Sequence, residues 1–111
     1  MTNKQKVIYQ TRSTIIKALA HPTRLFIIDK LAKKSYCVCE LTAMVGDDIT
    51  TISKHLSVLK NSGLVAVEKR GNQVFYRLKV PCVLGFLRCA EETLRKTVDD
   101  NNKTLKMERV H

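Results

Sequence analysis

Four successive helical patterns, a pair of short strand-like runs around a Gly-Asn turn, and a fifth helical pattern predict a mainly α fold with one β-hairpin: a winged helix-turn-helix. A second observation is charge. Twenty Lys and Arg against ten acids give a formal net charge of +10 over 111 residues. A third is the segment Tyr36-Cys37-Val38-Cys39-Glu40-Leu41, which puts two thiols one residue apart just ahead of the stretch that reads as helix-turn-helix, Leu41 to Leu59. A small turn, a polar second helix and a basic hairpin are how that fold reaches a groove and the adjacent phosphates.

Taken in order, the apolar residues Val7, Ile8, Ile15, Ile16, Leu19 and Ala20 place a first amphipathic helix from Val7 to Ala20. His21-Pro22 ends it, because the Pro22 ring disfavours helical geometry at His21. Pro22 opens the second helix, where its missing N–H costs nothing. That helix is expected over Pro22 to Ala32, with Leu25, Ile28 and Leu31 on one face and Phe26 beside them. Lys33-Lys34-Ser35 is a polar break, and a short helix follows from about Cys39 to Val45. Gly46-Asp47-Asp48 makes the turn, and Asp48 suits the N-cap of the next helix, about Ile49 to Asn61. Ile49, Ile52, Leu56 and Leu59 are expected to face inward along it, and Gly63 fits the left-handed position after its end. The runs Leu64–Lys69 and Gln73–Leu78 flank Arg70-Gly71-Asn72, where Gly71 and Asn72 both tolerate positive φ, a hairpin signal. Pro81 starts the last helix, whose apolar face is Val83, Leu84, Leu87, Ala90, Leu94 and Val98. One domain over 1–98 and a polar, frayed tail over 99–111 is the expected organisation.

The apolar content is too high for a disordered chain. The basic balance makes a polyanion the first partner to consider, with nucleic acid ahead of membrane, although a merely solvated basic surface has the same charge. Met1 to Lys6 is polar and no long apolar run follows, so neither a signal peptide nor a membrane span is expected and the location is cytoplasmic. Four Cys in a reducing compartment fit metal binding, redox sensing or plain burial better than disulfides. No Gly-rich phosphate loop and no Ser/His/Asp arrangement points to an enzyme.

With Ile52, Leu56 and Leu59 inward, the helix from Ile49 offers Thr50, Thr51, Ser53, Lys54 and Ser57 to the outside. The N-terminal half of such a helix enters the major groove. Hydroxyls there serve base edges or phosphates, and Lys54 suits a phosphate or a guanine. His55, beside the apolar stripe, fits a phosphate contact or a half-buried structural role with one polar contact, and the second is the commoner fate of a lone His. In the hairpin Lys69, Arg70 and Arg77 make a basic wing, with Asn72 and Gln73 as amide donors. A wing of this kind adds affinity more than sequence choice.

Thiolates prefer Zn(II), Cd(II), Cu(I) and, by the same softness, trivalent arsenic or antimony. In a continuous helix Cys37 and Cys39 lie about 200° apart, whereas in an extended segment both point to one side. They can share an ion only where the chain enters the helix, or by deforming its first turn, and that is where they fall. Two small buried hydrophobes are the plain alternative. Cys82 and Cys89, seven apart, share a face of the last helix at a separation of ~10 Å. Metal–sulfur bonds are ~2.3 Å, so one ion takes at most one of the two. Core or interface packing accounts for each alone as well as ligation does.

Three motifs in order carry a resemblance. Ala18-Leu19-Ala20-His21-Pro22-Thr23-Arg24-Leu25, then Thr51-Ile52-Ser53-Lys54-His55-Leu56 with Leu59 and Ser62-Gly63-Leu64-Val65, are similar to signatures of the ArsR/SmtB family of metalloregulatory repressors. The C-x-C segment resembles that of its arsenic-sensing and lead/cadmium-sensing branches. The likeness runs from about Ile15 to Leu94. It implies a cytoplasmic homodimer built through the first and last helices, bound to double-stranded operator DNA when metal-free and released by metal. Three departures matter. The arsenical type often carries a further Cys where this chain has Thr42, so a third thiolate must come from elsewhere. The last-helix zinc site of other members needs an Asp/His set, and Val80, Cys82, Thr93 and Lys96 stand there. Gln is common where this chain has Ile49, so no base preference carries over. With no Cys near the N-terminus, a three-sulfur ion fits better than a four-sulfur one. The expectation is therefore a repressor whose inducer is arsenite, As(III), or Sb(III), held by Cys37, Cys39 and Cys89, with Cys82 as the alternative third ligand. A Cd(II) sensor, a thiol redox or persulfide sensor of the same fold, and, from another class, a thiol oxidoreductase or metal carrier are the rivals.

Overall fold

The computed structural model describes residues 1–108, with side chains through Asn102. Two compact units divide at Val80/Pro81. The first contains α1 (Asn3–Leu19), α2 (Pro22–Leu31), β1 (Tyr36–Cys37), α3 (Val38–Val45), α4 (Ile49–Asn61), β2 (Val65–Arg70) and β3 (Gln73–Leu78); the second contains α5 (Cys82–Glu108).

Helix α1 begins earlier than its apolar pattern, because Thr2 and Gln5 form a capping box: the Gln5 N–H donates to Thr2 Oγ1 at 3.1 Å and the Thr2 N–H to Gln5 Oε1 at 2.9 Å. His21 caps α2, its Nδ1 accepting the Thr23 N–H at 3.0 Å. Helix α3 ends at Gly46, whose φ of 81° is the left-handed conformation that lets the chain reverse. Asp48 then caps α4 by accepting the Thr51 N–H at 2.7 Å.

The core is apolar throughout. Ala18 and Leu19 of α1, Ile27, Ile28 and Leu31 of α2, Leu41 of α3, Ile52, Leu56 and Leu59 of α4, and Leu64 and Val65 at the head of the hairpin are buried. Each fully buried Leu or Ile removes enough surface from water to contribute about 1.5–3 kcal/mol. Ile27, absent from the expected α2 face, is fully buried beside Ile28: enclosed on more than one side, α2 presents two adjacent apolar positions inward instead of a single stripe.

The wing is one strand larger than a hairpin. The sheet order is β1-β3-β2, with β1 antiparallel to β3. The β2–β3 loop is Gly71-Asn72, and only Gly71 has positive φ, at 60°, as a type II′ turn requires.

Helix α5 runs through the positions expected to form a frayed tail from Asp99 and continues to Glu108. Residues 109–111 lie outside the described residues. Thr93 and Thr97 return their hydroxyls to the carbonyls of Cys89 and Thr93, so neither interrupts the helix. Among the described residues no helix is long and apolar enough to cross a membrane.

Candidate nucleic-acid interface and thiol site

The turn between α3 and α4 fixes how α4 is presented. Asp47 Oδ1 accepts the Asp48 N–H at 2.8 Å and Asp48 Oδ1 takes the Thr51 N–H. The Thr51 hydrogen bonds hold the Asp48 carboxyl below the usual carboxylate range, with a smaller pull from Lys54. With Ile52, Leu56 and Leu59 buried, Thr50, Ser53, Lys54 and Ser57 face solvent and Thr51 is half-buried. Ile49 does not face inward: it is 51% exposed and, with Thr50, Ser53, Lys54, Ser57 and Val58, lines a shallow depression on the outer face of α4. A helical side chain leans toward the turn N-terminal to its own Cα. The first residue of α4 has no preceding helical turn to lie against, and about half of it stays in solvent.

The inner edge of α4 is pinned through His55, in the half-buried structural role that is one of its two expected fates, by Arg24 and His21, which sequence patterning missed. Arg24 of α2 donates from Nε to the Ala18 carbonyl at 2.6 Å and from Nη2 to the Lys17 carbonyl at 3.3 Å, closing the C-terminus of α1. Its Nη1 lies 3.2 Å from His55 Nδ1. A guanidinium only donates, so Nδ1 accepts and the His55 proton sits on Nε2. The His21 and His55 rings stack at a tilt, with centroids 4.4 Å apart. Burial, then the neighbouring His21, then Arg24 hold the His55 imidazole below its usual value, with Asp47 opposing. One guanidinium and two imidazoles thus lock α1, α2 and α4 together, and half-buried His55 is part of the lock.

In the wing Lys69, Arg70, Asn72, Gln73 and Arg77 are all exposed. Arg70 is steered from two sides: Nη2 meets Glu68 Oε2 at 3.1 Å, and its guanidinium stands 4.6 Å from the Phe75 ring centroid. Both partners lie at one rung of the sheet, Glu68 opposite Phe75.

The same rung, continued across β3, reaches the thiols. Cys37 pairs with Phe75, and Tyr36 with Tyr76. Cys37 is also the N-cap of α3, in extended conformation with ψ 166°. Its backbone N–H donates to Glu40 Oε1 at 3.1 Å, and its side chain takes the place of the usual Ser or Thr in a capping box. The Cys37 N–H, followed by its side chain, draws the Glu40 carboxyl below its usual value, with help from Lys34. Cys37 is buried and Cys39 exposed. Both line one open depression of about 650 Å³ with Lys34, Ser35, Glu40, Arg70, Gln73 and Phe75. The extended-to-helical junction therefore places both cysteines on the lining of one open depression, with the wing residues Arg70 and Gln73 on the same lining. Thr42 Oγ1, on the next turn of α3, is buried with no hydrogen-bond partner. Among the described residues no three His, Cys, Asp or Glu side chains gather as a metal site. Cys82 and Cys89 are exposed on α5.

Known proteins agree with this architecture. The family model for bacterial regulatory proteins of the arsR family matches residues 21–67. An uncharacterized HTH-type transcriptional regulator of Mycobacterium tuberculosis is 31% identical over 94 residues, 84% of this chain and 82% of that one. The arsenical resistance operon repressor of Staphylococcus xylosus is 37% identical over 70 residues, 63% of this chain and 67% of its own. Among solved structures, the homodimeric winged helix-turn-helix DNA-binding domain of a possible ArsR-family regulator from Mycobacterium bovis matches with a TM-score of 0.79 at 28% identity, covering 86% of this chain and 93% of that fragment. The chain belongs to the arsR family of bacterial regulatory proteins, the winged helix-turn-helix DNA-binding transcriptional repressors.

Proposed function

We propose that this protein is a cytoplasmic homodimeric repressor that leaves its operator when trivalent arsenic, or antimony, binds Cys37 and Cys39. The observation that carries the reading is the double duty of Cys37. It is a strand residue paired with the wing at Phe75 and the N-cap of α3, and it shares a depression with Cys39. A ligand that draws the two sulfurs together pulls on the wing and on the helix-turn-helix at once. Each As–S bond replaces an As–OH and releases one water, with no change of oxidation state. Cys89 supplies the third thiolate, with Cys82 as the alternative. The named relative in Staphylococcus xylosus, an arsenical resistance operon repressor, supports the inducer class.

The operator is held by α4 through Thr50, Thr51, Ser53, Lys54 and Ser57, with His55 at its edge, and by the wing through Lys69, Arg70, Asn72, Gln73 and Arg77. The dimer forms by covering the exposed apolar side chains of α1 (Val7, Ile8, Ile16) and α5 (Phe86, Leu94, Val98) with a second copy.

Ligand binding must cost DNA affinity differentially, and couplings of about 1–3 kcal/mol are typical. The test is titration of the repressor–operator complex with arsenite, cadmium, zinc and peroxide, for wild type and for Cys37→Ser and Cys39→Ser. The hydroxyl is near in size but a poor soft-ion ligand, so both variants should keep operator binding and lose release by arsenite. Loss of operator binding instead would make the thiols structural. A thiol-oxidation sensor of the same fold is the second reading, favoured by the exposure of Cys39; release by peroxide and not by arsenite would select it.

A further inference from the structure

We propose that Ile49 is a specificity-determining residue that reads the 5-methyl group of thymine in the major groove; this rests on α4 being the DNA-reading helix. The starting observation is a large apolar side chain where helix geometry alone would bury it. Ile49 is 51% exposed at the first position of α4. Its surroundings are mixed: the depression it lines is otherwise walled by the hydroxyl residues Thr50, Ser53 and Ser57, by Lys54 and by one further alkyl side chain, Val58. Hydroxyls and an ammonium beside the branched alkyl groups of Ile49 and Val58 match what a thymine-containing step displays in the major groove, where acceptors and a methyl lie side by side; of the two, Ile49 stands at the helix N-terminus. The N-terminal residues of a reading helix are those that meet base edges.

Two features make Ile49 suited to the task. Asp48 caps the helix through the Thr51 N–H at 2.7 Å, so the backbone that carries Ile49 is anchored from its first turn. A β-branched residue in a helix is nearly confined to one χ1 rotamer, so little side-chain freedom is lost when it docks. A second protein would also cover an exposed isoleucine. The net charge of +10 and the Lys54 ammonium beside it favour a polyanion.

The experiment replaces thymine by uracil, one position at a time, across the footprint of a selected operator. Uracil keeps the pairing edge and the O4 acceptor and lacks only the methyl. Wild type should lose about fourfold in affinity at one or two positions, the equivalent of ~0.8 kcal/mol for one buried methyl-sized group. Ile49→Ala, at an exposed site and checked for folding by circular dichroism, should bind the thymine and uracil operators equally at those positions. Discrimination that is absent in wild type, or unchanged in Ile49→Ala, overturns the proposal. Ser53→Ala and Lys54→Ala separate this failure from that of the underlying reading. If they weaken operator binding while uracil has no effect, only the role of Ile49 falls. If they too leave binding unchanged, α4 is not the reading helix.

Discussion

Replacing Arg24 by Gln tests the lock that orients α4. The variant removes the hydrogen bonds to the Ala18 carbonyl at 2.6 Å and to His55 Nδ1 at 3.2 Å, both partly buried, and a longer, exposed one to Lys17. Hydrogen bonds from a charged donor contribute about 1.5–3 kcal/mol each. The low end for the two partly buried bonds is about 3 kcal/mol, and a neutral Gln amide that recovers one bond returns about 1 kcal/mol, so the expected loss is about 2 kcal/mol. At roughly 2 kcal/mol per molar urea the unfolding midpoint should fall by about 1 M. A second readout is pH. Because the folded-state His55 value lies below the ordinary one, the unfolded chain binds more protons as pH falls through the window below 6.5, and stability is lost there. Burial and His21, the larger causes, persist in the variant, but the Arg24 contribution goes. The acid-side loss should therefore be shallower than in wild type. Urea unfolding followed by circular dichroism, near neutral pH and about one unit below the ordinary histidine value, measures both. A midpoint shift under about 0.3 M, or a steeper acid-side loss, would refute the reasoning.

Four further outcomes follow from particular atoms. Thr42→Val removes a buried hydroxyl without a partner and should raise stability by about 1 kcal/mol; a lower thermal midpoint contradicts this. Arg70→Ala should weaken binding to all DNA sequences alike and reduce the log–log salt slope by ~0.9, whereas Thr50→Ala or Ser53→Ala should change base discrimination; an unchanged slope rules out a phosphate contact. Phe75→Leu, which takes the ring from between Cys37 and Arg70, should shrink the factor by which arsenite weakens operator binding by more than it changes either affinity measured alone; an undiminished factor places the coupling elsewhere. X-ray absorption on arsenite-loaded protein should count three sulfurs in wild type and in Cys82→Ser and fewer in Cys89→Ser; the reverse pattern moves the third ligand to Cys82.

What the sequence made legible was local. Helix α4 carries its own start, stop and period: Asp48 caps it, Gly63 takes a φ of 80° after it, and Ile52, Leu56 and Leu59 mark its inner face. The same logic erred where an apolar pattern was required to see a helix. Thr2 and Gln5 spell a capping box, but the apolar residues that mark the helix begin only at Val7, four residues after α1 starts. Asp99 to Glu108 is polar but contains neither Gly nor Pro, so nothing in it stops α5. Features that depend on distant partners left no local trace. Strand β1 is two residues long and exists only because β3 lies beside it. The Arg24–His55 contact joins residues 31 apart. Periodicity points Ile49 inward with Ile52 and Leu56, but at the first position of α4 it stays half in solvent beside Thr50 and Ser53. The C-x-C pair itself stood out in the sequence, while its pairing with the wing through Phe75 did not.

The central claim, that a ligand on the thiols and DNA on α4 and the wing oppose each other, is tested most directly by measuring arsenite affinity twice, on the free protein and on the operator complex. Linkage requires the two effects to be equal: the factor by which arsenite weakens operator binding must be the factor by which operator weakens arsenite binding, about 5–150-fold for typical couplings. The account predicts that reduction, and its disappearance in Cys37→Ser. Equal arsenite affinity with and without operator would contradict it.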